Sequence, residues 1–126
     1  MTQLFVYGTL LSGEERGGLV AHLPRRSATV RGRLWRVPAG YPALELSEDG
    51  QPIQGELLEL NDEGILRALD LVEGTNEGLY DRVVVTAQTA RGQEQAWVYV
   101  MRPPQLRQAG CLPTKITDWR QLSARR

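Results

Sequence analysis

The sequence predicts an α+β fold: a mostly antiparallel or mixed sheet of about six strands, with two helices. Three observations carry this. Short segments rich in β-formers follow one another in adjacent pairs, separated by glycine, proline and acidic turn signals. One central segment instead repeats its apolar residues at helical spacing. The chain is 126 residues long, one domain's worth, so six strands could close or nearly close into a small barrel.

The elements follow in order. Leu4 to Tyr7 is apolar and ends at Gly8, which reads as a strand entering a turn. Residues 14–23 offer a short helix, weakened by Gly17 and Gly18. Ala28 to Val37 alternates, with Val30, Gly32 and Leu34 on one face and Thr29, Arg31, Arg33 and Trp35 on the other. Pro38-Ala39-Gly40 breaks that strand, and Tyr41 to Leu46 forms a short one. Ser47-Glu48-Asp49-Gly50 is a hairpin turn signal, and Ile53 to Leu60 is the next strand. Asn61-Asp62-Glu63 then opens a helix over residues 62–72, with Ile65, Leu66, Leu69 and Val72 on its apolar face. Gly74 terminates it. Tyr80 to Thr86 and Gln95 to Met101 are two strands around a turn at Ala90-Arg91-Gly92. Pro103-Pro104 ends regular structure, and residues 105–126 are a polar tail in which Asp118-Trp119 packs back onto the body.

Composition narrows the chemistry. The chain has one His (His22), one Cys (Cys111) and one Lys (Lys115). A His- or Cys-rich metal site and an intrachain disulfide are therefore excluded within one chain. A catalytic triad would have to use His22, and a Schiff base Lys115. Chemistry must rest on carboxylates, hydroxyls, arginines and backbone. Fifteen basic and fifteen acidic residues give zero net charge, against a dedicated nucleic-acid or membrane-surface protein. The cluster Arg25, Arg26, Arg31, Arg33 and Arg36 then reads as a solvated face rather than an RNA surface. A lone cysteine, no signal-peptide pattern and no transmembrane-length run point to a cytoplasmic protein.

Two places could hold a site. In Tyr7-Gly8-Thr9-Leu10 a strand runs into a glycine turn. Such a turn either merely exploits glycine's freedom or aims backbone N–H groups at a carboxylate or oxyanion. It lacks the ending of a phosphate loop. Glu73 lies four residues after Leu69 and seven after Leu66, on the helix face that both leucines bury. Desolvation there and the negative helix C-terminus would both raise its pKa, as a general acid/base near neutrality requires. The same glutamate beside Gly74 could instead turn out to solvent. Tyr80-Asp81-Arg82 reads as a half-buried tyrosine beside a surface arginine, and Cys111 as a structural thiol.

Taken in order, these segments resemble the γ-glutamylcyclotransferase-like family. Phe5-Val6-Tyr7-Gly8-Thr9-Leu10 resembles its Tyr-Gly-(Thr/Ser)-Leu signature. Arg31-Gly32-Arg33-Leu34, Tyr41-Pro42-Ala43-Leu44 and Gly55-Glu56-Leu57 are similar to its next strands. Leu69-Asp70-Leu71-Val72-Glu73-Gly74 followed by Tyr80-Asp81-Arg82 resembles its Leu-Asp-x-x-Glu…Tyr-x-Arg element, and Ala96-Trp97-Val98-Tyr99-Val100 its late strand. The short length and the Tyr-Pro segment look most like the γ-glutamylamine cyclotransferase branch and its small bacterial relatives.

The resemblance implies a single domain over residues 1–126, a small mixed β-barrel with helices packed outside. It implies conversion of a γ-glutamyl amine or amino acid into 5-oxoproline and the free amine. In that reaction the substrate's own α-amine attacks its γ-carbonyl. It implies Glu73 as the proton shuttle, Tyr7, Gly8, Thr9 and Leu10 as the loop that binds the glutamyl group, and Tyr80, Tyr41 and Tyr99 as site-lining residues. No metal or other cofactor is expected, the expected partner is a small γ-glutamyl substrate, and the expected state is a monomer or weak homodimer. A non-catalytic small-ligand module on the same scaffold is the alternative.

Overall fold

The computed structural model describes residues 2–8, 22–60, 62–75 and 78–123. Seven strands and three helices lie among them: β1 (Thr2–Val6), β2 (Arg25–Arg36), β3 (Pro42–Leu46), β4 (Gln51–Leu60), α1 (Glu63–Glu73), β5 (Asp81–Thr89), β6 (Gly92–Val100), α2 (Pro103–Ala109), β7 (Leu112–Pro113) and α3 (Trp119–Ser123). Five of the strands close a ring in the order β2-β4-β1-β6-β5 and back to β2, where Thr29 meets Gln88. All pairs in the ring are antiparallel except β1 with β6, which run parallel with Leu4 opposite Trp97. The expected mixed barrel is therefore present, with β3 and β7 appended to β2.

Alternation along each strand divides the apolar residues between two cores. Phe5, Val30, Leu34, Leu44, Ile53, Leu57 and Val98 belong to a cluster drawn from strands and from Tyr7 just after β1, which is the barrel interior. Leu4, Leu58 and Leu60 belong to a second cluster with Leu66 and Leu69 of α1 and Leu106 of α2, which is the outer face under the helices. Each fully buried leucine contributes roughly 1.5–3 kcal/mol. The interior depends on Gly55, where a Cβ would stand 2.3 Å from the Val6 carbonyl oxygen and 2.6 Å from the Phe5 ring.

α1 is set by its ends. Asp62 is the N-cap and accepts from the Gly64 N–H at 2.8 Å. Gly74 takes the left-handed conformation (φ 69°) and its N–H turns back to the carbonyls of Asp70 and Leu71. The helix runs one residue further than the periodicity predicts, so that Glu73 is its last residue. Val72, expected on the apolar face, is exposed, because it falls on the solvent side with Leu71.

Four other expectations are corrected. β2 starts at Arg25, because Arg25 and Arg26 pair with Leu58 and Leu57 and their charges are met by Glu56 and Glu59. The 47–50 turn, closed by Gly50 N–H on Ser47 O at 3.1 Å, does not join a hairpin: β3 and β4 each pair with β2, and both meet it at Gly32. Pro103 and Pro104 open a helix instead of ending regular structure, since the first turn's N–H groups have no intrahelical acceptors and proline loses nothing there. Beyond α2, the expected tail adds β7 and α3 and buries Trp119. The predicted helix over 14–23 lies mostly outside the described residues; of its last two, His22 is exposed and Leu23 buried. Among the described residues, no helix is long and apolar enough to cross a membrane.

Candidate functional site

The chain has four tyrosines, and all of them belong to the expected site. Tyr7 follows β1 and is buried, its ring stacked at 6.3 Å from that of Phe5. Tyr80 precedes β5 and Tyr99 lies on β6, both buried. Tyr41 precedes β3 and is half-buried against the outer core. Glu73, half-buried at the end of α1, is close enough to bear electrostatically on three of them.

That influence appears in the phenols. Burial pushes the Tyr7 hydroxyl far above the usual phenol range, the Glu73 charge pushes it further, and the Leu44 N–H opposes both. Tyr80 is raised first by burial, then by Tyr7, Glu73, Tyr41 and Cys111. Tyr99 is raised first by burial, then by its hydrogen bond to Asp70 and the charge there; Arg82 opposes and Glu73 adds to the rise. All three phenols are therefore neutral O–H donors at any working pH.

Their protons are committed within the protein. The Tyr7 hydroxyl donates to the Tyr99 carbonyl at 2.6 Å and accepts from the Leu44 N–H at 3.2 Å. Tyr80 donates to the Pro42 carbonyl at 2.7 Å. Tyr99 donates to Asp70 Oδ1 at 2.8 Å. Tyr7, Tyr80 and Tyr99 are thus fixed by internal hydrogen bonds and form a buried frame within electrostatic reach of Glu73.

Gly8 sits against this frame. A Cβ there would meet Pro42 Cγ at 2.6 Å, so the chain after β1 approaches the start of β3 too closely for any side chain. Thr9 and Leu10, expected to complete the loop, lie outside the described residues.

Sequence reasoning missed three participants. Pro42 joins Gly8 to Tyr80 through its ring and its carbonyl. Asp70 accepts both arms of Arg82, Nε at 2.8 Å and Nη2 at 3.1 Å, besides the Tyr99 hydroxyl. Arg82, expected at the surface, lies over Trp97 with its guanidinium carbon 4.3 Å from the ring centroid. One signal was available: Asp70 precedes Glu73 by three residues on the same helix, so a charge there would need a partner from the strands beneath.

Four arginines of the basic cluster and Cys111 have partners elsewhere. Arg25 pairs with Glu56 at 3.0 Å, and Arg26 with Glu59 at 3.1 Å and with Glu94. Arg31 donates to the Gly50 carbonyl at 2.9 Å and Arg33 to Ser47 Oγ at 3.1 Å. Burial raises the Cys111 thiol, which rests 3.9 Å from the Met101 sulfur. Among the described residues, no three His, Cys, Asp or Glu side chains come together as a metal site would require.

Comparison with known proteins places the chain among relatives. The family model described as gamma-glutamyl cyclotransferase, AIG2-like, matches residues 4–121. The chain is 33% identical over 127 residues to the gamma-L-glutamyl-butirosin B gamma-glutamyl cyclotransferase of Niallia circulans, spanning 96% of this chain and 77% of that one. The crystal structure of an AIG2-like protein from Mus musculus superposes with a TM-score of 0.68 at 28% identity, covering 84% of this chain and 82% of that one. YkqA from Bacillus subtilis superposes with a TM-score of 0.76 at 26% identity over 99% of this chain, which spans only 43% of YkqA.

Proposed function

The chain belongs to the gamma-glutamyl cyclotransferase, AIG2-like family, and from that membership we propose that it cyclises a γ-glutamyl amine or γ-glutamyl amino acid to 5-oxoproline and the free amine. The observation that supports the reading is that the charge of Glu73 bears on the buried phenols of Tyr7, Tyr80 and Tyr99, of which Tyr7 opens the turn after β1.

Such a site suits a reaction whose nucleophile comes with the substrate. The substrate's α-amine attacks its own γ-carbonyl, forming the ring C–N bond and a tetrahedral oxyanion. Collapse breaks the original amide C–N bond and expels the amine. The protein must hold the chain in a cyclising conformation, move one proton and stabilise one oxyanion. Glu73 takes the proton that the α-amine loses and returns it to the leaving nitrogen, so no net proton is consumed. The backbone of the Tyr7–Leu10 loop receives the glutamyl group and the oxyanion. The neutral phenols near Glu73 add no competing charge. γ-Glutamyl amines are the first substrates to try, on the resemblance of the Tyr41-Pro42 segment to the γ-glutamylamine cyclotransferase branch.

The test is 5-oxoproline release from a panel of γ-glutamyl amines and dipeptides, wild type against Glu73→Gln. Turnover of at least one member by wild type, lowered about 100-fold or more in the variant, is expected. No product from any member, or an undiminished variant, overturns the reading. Thermal stabilisation by the same compounds in both proteins without turnover would mark a binding module instead.

A further inference from the structure

Asp70 collects three hydrogen bonds and joins three elements. It lies on α1, one turn before Glu73. Arg82 of β5 delivers its fork to both carboxylate oxygens, at 2.8 and 3.1 Å. Tyr99 of β6, paired directly opposite Arg82 in the sheet, adds its hydroxyl at 2.8 Å. Two such N–H bonds to a carboxylate fix its plane as well as its position. Arg82 itself lies over the ring of Trp97, two residues from Tyr99 on the same face of β6. Thr75, just past the helix, returns its hydroxyl to the Asp70 carbonyl at 3.2 Å.

Tyr99 carries this constraint across the site. Its side chain is tied to Asp70, and its own carbonyl receives the Tyr7 hydroxyl at 2.6 Å. One residue therefore links the helix that presents Glu73 to the strand end that presents the Tyr7–Gly8 turn.

We propose that Asp70, clamped by Arg82 and Tyr99, is a positioning residue: it sets where the end of α1 holds the Glu73 carboxylate relative to Tyr7 and the turn after it. The inference rests on the reading of Glu73 as the acid/base. Proton transfer between two nitrogens of one substrate tolerates little displacement of the shuttle, so loosening the clamp lowers turnover more than it weakens binding.

The experiment compares the full-length wild-type chain with Asp70→Asn, Tyr99→Phe, Arg82→Lys and Glu73→Gln, using the best γ-glutamyl compound of the panel. Melting temperature establishes that each protein is folded at the assay temperature. Asp70→Asn and Tyr99→Phe are expected to lower kcat about tenfold or more while KM stays within about threefold. Arg82→Lys should fall between them and wild type, because lysine keeps the charge and loses the fork. Should Asp70→Asn not fold, Tyr99→Phe, which removes a single oxygen, carries the test. Wild-type kcat in both, with Glu73→Gln inactive, overturns the positioning role and leaves the acid/base reading standing. An active Glu73→Gln, or no turnover by wild type, overturns the acid/base reading. The clamp is then read from the Tyr7 ring ¹³Cζ signal, which Asp70→Asn must displace; an unmoved signal overturns the coupling.

Discussion

The Tyr7 hydroxyl is held between two backbone groups: it donates to the Tyr99 carbonyl at 2.6 Å and accepts from the Leu44 N–H at 3.2 Å. A single oxygen thus joins the end of β1 to β6 and β3, in a residue that is 7% exposed. Phenylalanine at this position would fill the same space and leave a buried carbonyl and a buried N–H without that partner. The expected cost of Tyr7→Phe is about 1–3 kcal/mol, the desolvation penalty of unsatisfied groups. A urea titration reads it as a lower midpoint at unchanged slope. A midpoint equal to wild type would show that the hydroxyl contributes nothing to stability.

The raised phenols make a prediction about alkaline pH. A phenol whose pKa rises on folding is favoured in its protonated form by the native state. Its stabilising contribution is complete below the unfolded value of 10.0 and is lost as pH climbs from there toward the folded value. Three such groups act together, so stability should fall steeply above about pH 10. Absorbance at 295 nm should show Tyr7, Tyr80 and Tyr99 ionising together with loss of the far-ultraviolet circular dichroism. Ionisation of all four tyrosines within an intact fold would contradict the burial.

Much of this was legible because local rules sufficed. Leu66, Leu69 and Glu73 share a helix face by spacing alone, and Gly74 stops the helix by its left-handed turn. The strands were legible from alternation, and Ala90-Arg91-Gly92 from its turn, which the structure narrows to two residues between Thr89 and Gly92. What stayed hidden depends on register or on backbone atoms. Arg82 looked solvent-facing because its partner, Asp70, lies twelve residues earlier across a loop. Pro42 carried no chemical signal, since what it offers is a carbonyl for Tyr80 and a ring that leaves Gly8 no room. Pro103 and Pro104 read as breakers because the meaning of proline depends on which end of a helix it occupies.

Gly8 gives a steric prediction. In Gly8→Ala the new methyl would lie 2.6 Å from Pro42 Cγ and 3.1 Å from its Cδ, and a proline ring cannot swing aside. The turn after Tyr7 must then move away from β3. The expected result is a loss of about 1–3 kcal/mol, as for overpacking elsewhere. KM for the γ-glutamyl compound should rise as well, because the displaced backbone is the proposed seat of the glutamyl group. Full stability with unchanged KM would mean that the turn tolerates a side chain.

Trp119 tests whether the C-terminal segment is part of the body or an appendage. The residue is 3% exposed, and the approach to it is stitched to the barrel. Thr114 bonds the Leu34 carbonyl through its N–H at 3.2 Å and its hydroxyl at 2.8 Å, and Gln54 donates its N–H to Thr117 O at 2.7 Å. These contacts fall on β2 and β4, and none of them is made to α1. Trp119→Ala should therefore cost about 3–5 kcal/mol through the cavity it leaves. At a temperature where the variant is still folded, its kcat should stay close to wild type, because these bonds end on β2 and β4 and not on the helix that carries Glu73. Calorimetry and the 5-oxoproline assay on one preparation separate the two effects. A small loss of stability would mean that α3 docks weakly, and a lowered kcat in fully folded protein would tie the C-terminal segment to the site.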